Sequence, residues 1–128
     1  MEKCTKILVT GSRAYREKTK LFQVLKKVCS EFPITAIVHG NASGADFLAS
    51  EFAKENKLIN KAYPADWDQF GTAAGKIRNQ QMLDDNPDLS LAIAAPGGPG
   101  TLDMVARLED AGFTLVLEAY RIRIFRKF

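Results

Sequence analysis

The sequence predicts an α/β fold built on a mainly parallel sheet of about five strands with helices on both faces. Short apolar runs alternate along the chain with longer segments whose apolar residues have helical spacing, which is typical of β-α-β units. Glycine-rich turns follow three of the apolar runs, as expected where parallel strands lead into helices. The length of 128 residues suits one domain, which we expect to span 1–128.

The predicted elements follow one another in regular alternation. Strands are predicted at 7–10, 34–38, 59–63, 89–94 and 113–117. Helices are predicted at 18–32, 44–56, 73–84 and 101–111, with Ser43 as the cap of the second and 64–71 as a loop. The basic tail, 119–128, fits an additional strand, a short helix or an oligomer contact. The order of these elements is that of a Rossmann-like domain.

Composition narrows the class of protein. Hydrophobic residues make up 46% and charged residues 26% of the chain, an ordinary balance for a globular domain. The net charge of +3 is compatible with an anionic ligand and too small to indicate nucleic-acid binding by itself. Cys4, predicted at a strand start, and Cys29, predicted in a helix, suit reduced thiols. With a single histidine we expect no metal site and no cofactor. The first residues lack an apolar leader segment and no bilayer-spanning run is present, so we expect a cytoplasmic protein.

The first two turns combine small residues with groups that can bind an anion. In VTGSR (9–13), a strand runs into Gly-Ser, where main-chain amides can approach a phosphate and Arg13 can add a charged contact. A simple tight turn with a surface arginine is the alternative. In HGNASGAD (39–46), Asp46 can accept from a ribose hydroxyl or complement the helix dipole. His39 is more often structural than catalytic in such a position.

Two later segments add a further turn and a helix. PGGPGT (96–101) exposes a run of main-chain amides, and Thr101 can cap the following helix or donate its hydroxyl to a phosphate. GKIRNQQM (75–82) places Arg78 to clamp a phosphate or carboxylate, and Asn79 to contact a base edge or ribose, unless this is only a solvated helix face. Trp67 suits stacking on a base or a half-buried core position.

Taken together and in order, these segments, with PADW (64–67), resemble the SLOG superfamily, in particular its small YspA/YpsA-related branch. The superfamily also includes the LOG phosphoribohydrolases and the DNA-processing protein DprA. The resemblance implies a Rossmann-like fold, recognition of nucleotide-derived molecules such as ADP-ribose or cyclic nucleotides, and a homo-oligomer whose second subunit can complete the site. We expect these residues to bind the ligand: Gly11, Ser12, Arg13, His39, Gly40, Ala42, Ser43, Gly44, Asp46, Trp67, Arg78, Asn79, Gly97, Gly98, Gly100 and Thr101.

One departure from the LOG pattern bears on catalysis. Arg78 matches the LOG arginine, but the position of the LOG glutamate is occupied by Met104. Hydrolysis of an N-glycosidic bond needs a carboxylate, which methionine cannot supply. Asp103 is adjacent but about 100° away around a helix. Asp46, Asp66 and Asp103 are the substitute carboxylates that the sequence offers.

Three functions therefore remain open. The first, favoured by the missing glutamate, is a binding module that acts as a sensor or a sequestering sink; by family analogy, this includes a phage anti-defence sponge. The second is a nucleoside 5′-monophosphate phosphoribohydrolase of LOG type. The third is DprA-like binding of single-stranded DNA, for which the basic tail is the best support. The small-molecule partner is expected in either of the first two cases, and neither nucleic acid nor membrane is the expected partner.

Overall fold

The structure is a computed structural model that describes residues 5–128. It contains six strands: β1 (Lys6–Thr10), β2 (Ala36–His39), β3 (Ile59–Ala62), β4 (Leu91–Ala94), β5 (Thr114–Ala119) and β6 (Ile122–Arg126). Its α-helices are α1 (Lys18–Glu31), α2 (Ala45–Glu55), α3 (Trp67–Phe70), α4 (Ala74–Asp84) and α5 (Pro99–Asp110), with a 3₁₀ turn at Gly71–Ala73. Cys4, which the sequence predicts at a strand start, lies outside the described residues. No helix of residues 5–128 is long and apolar enough to cross a bilayer.

All six strands form one mixed sheet in the order β3-β2-β1-β4-β6-β5. Strands β1 to β4 pair in parallel, whereas β6 is antiparallel to both β4 and β5. The predicted fold class is confirmed, with one strand more than the five expected. The additional strand is β6, so of the alternatives given for the tail the structure shows the additional strand. It separates β5 from β4 and closes a hairpin with β5.

The helices cover both faces of the sheet, because side chains of successive strand residues point to opposite faces. Ile7 and Val9 of β1 pack with the buried residues of α1 and α2. Leu8 packs on the other face with those of α4 and α5, among them Met82 and Met104. Two apolar layers thus hold the sheet between two helix pairs, and the carboxyl ends of β1, β2 and β4 are left at one edge.

Several predicted boundaries are wrong for local reasons. Ser43 does not cap α2: Gly44 occupies the N-cap position, and the Ser43 hydroxyl donates to the Arg13 carbonyl oxygen at 3.1 Å. Helix α5 begins at Pro99 rather than Thr101, since proline suits a first helical position, where no amide partner exists. The predicted loop 64–71 contains the short helix α3, whose start is capped by Asp66, accepting from the Gln69 amide at 3.0 Å.

Two of the tail arginines, Arg123 and Arg126, belong to the folded sheet. Arg123 lies over the Phe125 ring, and Arg126 lies over the rings of Phe32 and Phe128. Strand β5 forms the edge of the sheet beside them, and its Leu115, Val116 and Leu117 are each nearly half exposed. The homo-oligomer stays a prediction, and this apolar edge is where we expect a second copy.

Candidate ligand-binding site

The turns that follow β1, β2 and β4 are bonded to one another. The Ser12 amide donates to the Pro96 carbonyl oxygen at 3.0 Å, which joins the first turn to the turn after β4. The Ser12 carbonyl oxygen accepts from the Ala45 amide at 3.1 Å, which joins it to the start of α2. These turns therefore form one continuous floor beyond the carboxyl ends of the strands, where ligands of parallel α/β sheets bind.

Glycine is required where these turns touch. Gly44 has a φ of +73°, and a Cβ there would overlap the Ser12 carbonyl oxygen. A Cβ on Gly97 would overlap the Thr101 side chain and lie 2.9 Å from the Ser12 amide nitrogen. The absence of side chains at these two positions lets the three turns approach one another.

A cavity of about 470 Å³ lies above this floor. Its walls come from the turns after β1 and β2, from α3 and α4, and from the start of α5. The residues expected at the site that line it are Gly11, Ser12, Arg13, Gly40, Ala42, Asp46, Trp67, Arg78, Asn79, Gly98, Gly100, Thr101 and Asp103.

Five expected residues do not line this cavity. Gly44 and Gly97 support the floor from beneath, as described above, and Ser43 lines a neighbouring depression. Asp66 is exposed and uses its carboxylate to cap α3. His39 is only 1% exposed, and both of its ring nitrogens have partners within the chain.

The contacts of His39 define its role. Its Nε2 lies 2.6 Å from Asn60 Oδ1, and its Nδ1 accepts from the Asn41 amide at 3.0 Å. This pattern fits a neutral imidazole that carries its proton on Nε2. The structure thus makes His39 a support for the turn after β2 and does not bring it to the cavity.

Asp46 faces the cavity from the first turn of α2 while holding the neighbouring turn in place. Its Oδ2 accepts from the Gly40 amide at 3.1 Å and from the Ala42 amide at 3.3 Å. Burial raises the pKa of Asp46 above its usual range, although these amides and the positive charge of Arg78 oppose the change. Its other oxygen, Oδ1, is thus the atom left to meet a ligand.

Arg78 reaches across from α4 to the same turn. Its Nη1 donates to the Gly40 carbonyl oxygen and, at 3.4 Å, to that of Tyr63, while Nε donates to Asn79 Oδ1 at 3.1 Å. Burial lowers the pKa of Arg78 from its usual value, Asp46 acts to raise it, and Arg13 acts to lower it. Arg13 and Arg78 therefore present two like charges to one cavity, which favours an anion between them.

Asn79 and Asp103 form a second polar cluster, which lies next to Arg78 and links α4 to α5. Asn79 is 4% exposed, and its Nδ2 donates to the Gly100 carbonyl oxygen at 3.2 Å and to Asp103 Oδ2 at 3.0 Å. Burial acts to raise the pKa of Asp103, but hydrogen bonds from Arg107 and Asn79 hold it below its usual range. Asn79 is occupied within the chain, so we assign it to positioning α5 rather than to contact with a base.

The orientation of α5 explains why an apolar residue suits position 104, where the LOG pattern has a glutamate. Met104 is fully buried in the core beneath α5, with Leu8 and Met82 among its cluster. Asp103, one residue earlier, lines the cavity. The rotation of about 100° between adjacent helical residues turns Asp103 toward the cavity and not away from it.

Arg13 and Trp67 meet at the mouth of the cavity. The guanidinium carbon of Arg13 lies 5.4 Å from the centre of the Trp67 ring, within the range of a cation–π contact. Trp67 is 47% exposed, so it is not a core residue. Both side chains are accessible to an entering ligand.

Sequence reasoning did not single out Thr72 or Lys76, which are polar residues of the wall. Lys76 belongs to the segment 75–82 that was singled out for Arg78 and Asn79, and its basic side chain near the start of α4 was the available signal. Thr72 lies in a 3₁₀ turn that no sequence pattern marked. The remaining additional lining residues are Val9, Thr10, Gly75, Met82 and Pro99.

A largely parallel sheet with glycine-rich turns at its carboxyl edge defines this protein as a Rossmann-like α/β domain. A model of the YAcAr family, described as the YspA, cpYpsA-related SLOG family, matches residues 5–70, just over half of the chain. The chain belongs to this family, which confirms the resemblance seen in its motifs and suggests a nucleotide-related ligand. The Gene 61 protein of Mycobacterium phage D29 is 28% identical over 117 residues, covering 87% of this chain and 94% of that protein.

Proposed function

We propose that this protein binds a nucleotide-derived phosphorylated ligand in the cavity beyond β1, β2 and β4. The observation that carries the proposal is the meeting of the three glycine-rich turns around one cavity that also receives Arg13 and Arg78. Membership of a SLOG family supports a nucleotide-related ligand over another anion.

The start of α5 is the expected seat of a phosphate. Gly100 and Thr101 lie in the first helical turn, where main-chain amides have no acceptor within the helix. The positive end of the helix dipole adds to the charges of Arg13 and Arg78 across the cavity. A phosphate between them would meet amides on one side and guanidinium groups on the other.

The nucleoside part has partners next to this position. We expect Asp46 Oδ1 to accept from a ribose hydroxyl, because Oδ2 is already bonded to the turn after β2. The Trp67 ring offers a face for a base once Arg13 turns from the ring to the phosphate. Asp46 and Trp67 thus supply the specificity and the arginines supply the charge.

We propose that the ligand is held intact, as in a sensor or a sequestering sink, including a sink for a nucleotide signal in phage. Calorimetric titration with AMP, ADP-ribose and cyclic nucleotides tests the binding. Denaturing the complex and separating the released ligand by chromatography tests its integrity. Saturable binding with intact recovery is the expected result; the absence of binding across this set would refute the proposal.

A second function, hydrolysis of an N-glycosidic bond, is favoured by one observation: Asp46 and Asp103 line the same cavity with pKa values displaced in opposite directions. Such a divergence suits an acid paired with a carboxylate. Protonated Asp46 would donate to the leaving base nitrogen as the C1′–N bond breaks. Ionised Asp103 would accept a proton from the water whose oxygen bonds to C1′.

Release of free base from AMP distinguishes the two functions. If the protein is such an enzyme, Asp103→Asn and Asp46→Asn each reduce base release strongly, since one deletes the base and the other the acid. Base release that is undetectable in the parent protein, or equal in both variants and the parent, would eliminate this assignment of the two carboxylates.

A further inference from the structure

The turn after β2 has a side-chain acceptor for each of its three successive amides. The amides of Gly40 and Ala42 donate to Asp46 Oδ2. The amide of Asn41, between them, donates to His39 Nδ1 at 3.0 Å. Asn41 has a φ of +57°, in the left-handed region, which costs free energy in a residue other than glycine. The conformation of this turn, which lines the cavity, therefore depends on His39 as well as on Asp46.

A chain of hydrogen bonds extends from the Asn41 amide through His39 to β3 and α2. Nε2 of the His39 ring lies 2.6 Å from Asn60 Oδ1 in β3, and Asn60 Nδ2 donates to Ser50 Oγ in α2 at 2.7 Å. The Asn41 amide sets the direction of this chain, because a main-chain amide can only donate. Nδ1 must therefore accept and Nε2 must donate, which requires the oxygen of the Asn60 side chain to face the ring and its nitrogen to face Ser50. Asn60 and Ser50 thus favour the one neutral form of His39 that can accept from Asn41.

We infer that Asn60 is a positioning residue of the ligand site, which acts through His39 to hold the turn after β2 in its binding conformation and requires a neutral imidazole to do so. Protonation of Nδ1 would place its N–H against the Asn41 amide, so that two donors face each other and their hydrogen bond is lost. Imidazole takes up this proton between about pH 8 and about pH 5, so the turn should loosen within that range as the pH falls. The inference rests on the proposed function and adds a condition under which its site is formed.

The charged groups near His39 come from the elements that pack around β2. Asp46, in α2, is the carboxyl whose charge acts on His39. Arg78, in α4, donates to the carbonyl oxygen of the next residue. Lys61 of β3 points to the other face of the sheet, and the residue of β1 that pairs with His39 is the uncharged Val9. Asp46 is therefore the second group that can change this turn with pH, and the experiment has to separate it from His39.

The free protein gives the first test, because the chain contains one histidine and its imidazole signals are easily assigned. In nitrogen-15-labelled protein without added histidines, we expect an unprotonated Nδ1 and a protonated Nε2 at about pH 8. As the ring gains its second proton, the Asn41 amide should lose its protection against hydrogen exchange, measured relative to an unstructured peptide at the same pH. A neutral ring with its proton on Nδ1, or a ring that titrates while this protection stays constant, would overturn the inference.

Variants separate the effect of His39 from that of Asp46. Asn60→Asp places a carboxylate beside Nε2, which favours the imidazolium, so the loss of protection should occur at least about one pH unit higher than in the parent protein. His39→Asn keeps an oxygen near the position of Nδ1 and cannot titrate, so any change that remains with pH is that of Asp46. Lys61→Gln is the matched control, because it changes the net charge as Asn60→Asp does but acts on the other face of the sheet, and its profile should be that of the parent. The same profile in His39→Asn as in the parent would also overturn the inference.

The affinity for ADP-ribose connects the turn with the ligand site. Both of its phosphates are diesters and lack the ionisation near about pH 6 of a terminal phosphate, so its charge stays constant during the titration. The fraction of neutral His39 falls about tenfold for each pH unit below the midpoint of the ring, and the affinity should fall with it. In Asn60→Asp, the affinity should begin to fall at a higher pH, in step with the ring.

The outcomes distinguish this inference from the proposed function. If ADP-ribose and the other nucleotides do not bind at any pH, the proposed function fails, and the measurements on the free protein still decide whether Asn60 positions the turn. If ADP-ribose binds equally well above and below the midpoint of the His39 ring, the proposed function stands and the inference is overturned. A loss of affinity that moves with the ring in Asn60→Asp and stays in place in Lys61→Gln supports both.

Discussion

Replacing Asp46 tests how one carboxylate can both build the turn and face the cavity. In Asp46→Ala, the amides of Gly40 and Ala42 lose their acceptor. A buried amide without a partner costs about 1–3 kcal/mol, and the bond to Ala42 is the longer of the two, so we expect a loss of about 2–4 kcal/mol in the free energy of unfolding. Asp46→Asn should cost far less, because both bonds go to Oδ2 and a single carbonyl oxygen can accept them.

The difference in the free energy of unfolding between Asp46→Asn and the parent protein should change with pH. Since the pKa of Asp46 is raised in the folded protein, the folded state holds its proton more tightly than the unfolded state. The carboxyl thus favours folding at low pH, and this contribution is lost as the pH rises from the ordinary value of about 3.9 through the higher folded pKa. Asp46→Asn lacks this loss and should gain stability relative to the parent protein over that window.

Urea unfolding of the parent and both variants, repeated from about pH 4 to about pH 8, measures these differences. Subtracting the stability of the parent protein from that of the Asn variant cancels the contributions of the other titrating groups, because the two proteins share them. A stability difference between Asn variant and parent that stays constant with pH would refute a raised pKa. An Ala variant as stable as the Asn variant would refute the role of Asp46 in holding the turn.

Three further predictions concern the wall, the floor and the edge of the sheet. Arg78→Ala should weaken an anionic ligand about 10–150-fold in calorimetry, from the loss of about 1.5–3 kcal/mol in charged hydrogen bonds, with Arg78→Lys intermediate; unchanged affinity would remove Arg78 from the site. Gly97→Ala should lower the free energy of unfolding by about 1–3 kcal/mol through overlap with Thr101, whereas Gly98→Ala, whose Cβ meets nothing within 4 Å, should be nearly neutral in the same urea experiment. Leu117→Lys should shift sedimentation toward the monomer if copies pair along β5, and a parent protein that is already monomeric at high concentration would refute the predicted oligomer.

The fold was predictable because its signals are local. Alternating side chains such as Ile7 and Leu8 mark a strand covered on both faces, and proline and glycine mark the turns between elements. The insertion of β6 between β4 and β5 was not predictable, because strand order depends on contacts distant in sequence. Local patterns in the tail fit a strand, a helix or a subunit contact equally well.

The site was predictable as a set of turns but not as a set of side-chain roles. Most of the expected residues do line one cavity. His39 does not, because its ring nitrogens are hydrogen-bonded to the amide of Asn41 and the side chain of Asn60. No sequence pattern indicates such partners. The orientation of Asp103 and Met104 likewise depends on which face of α5 packs on the sheet, which the motif alone does not state.

The central claim is that the three main-chain turns border one cavity, which is the single shared seat of the ligand. Titrating nitrogen-15-labelled protein with ADP-ribose, and following its amide resonances, tests this most directly. We predict that the amides of Ser12, Gly40 and Thr101 shift together, along one saturation curve with one dissociation constant. Binding that leaves two of these three amides unmoved, or moves them with different constants, would contradict a single shared seat.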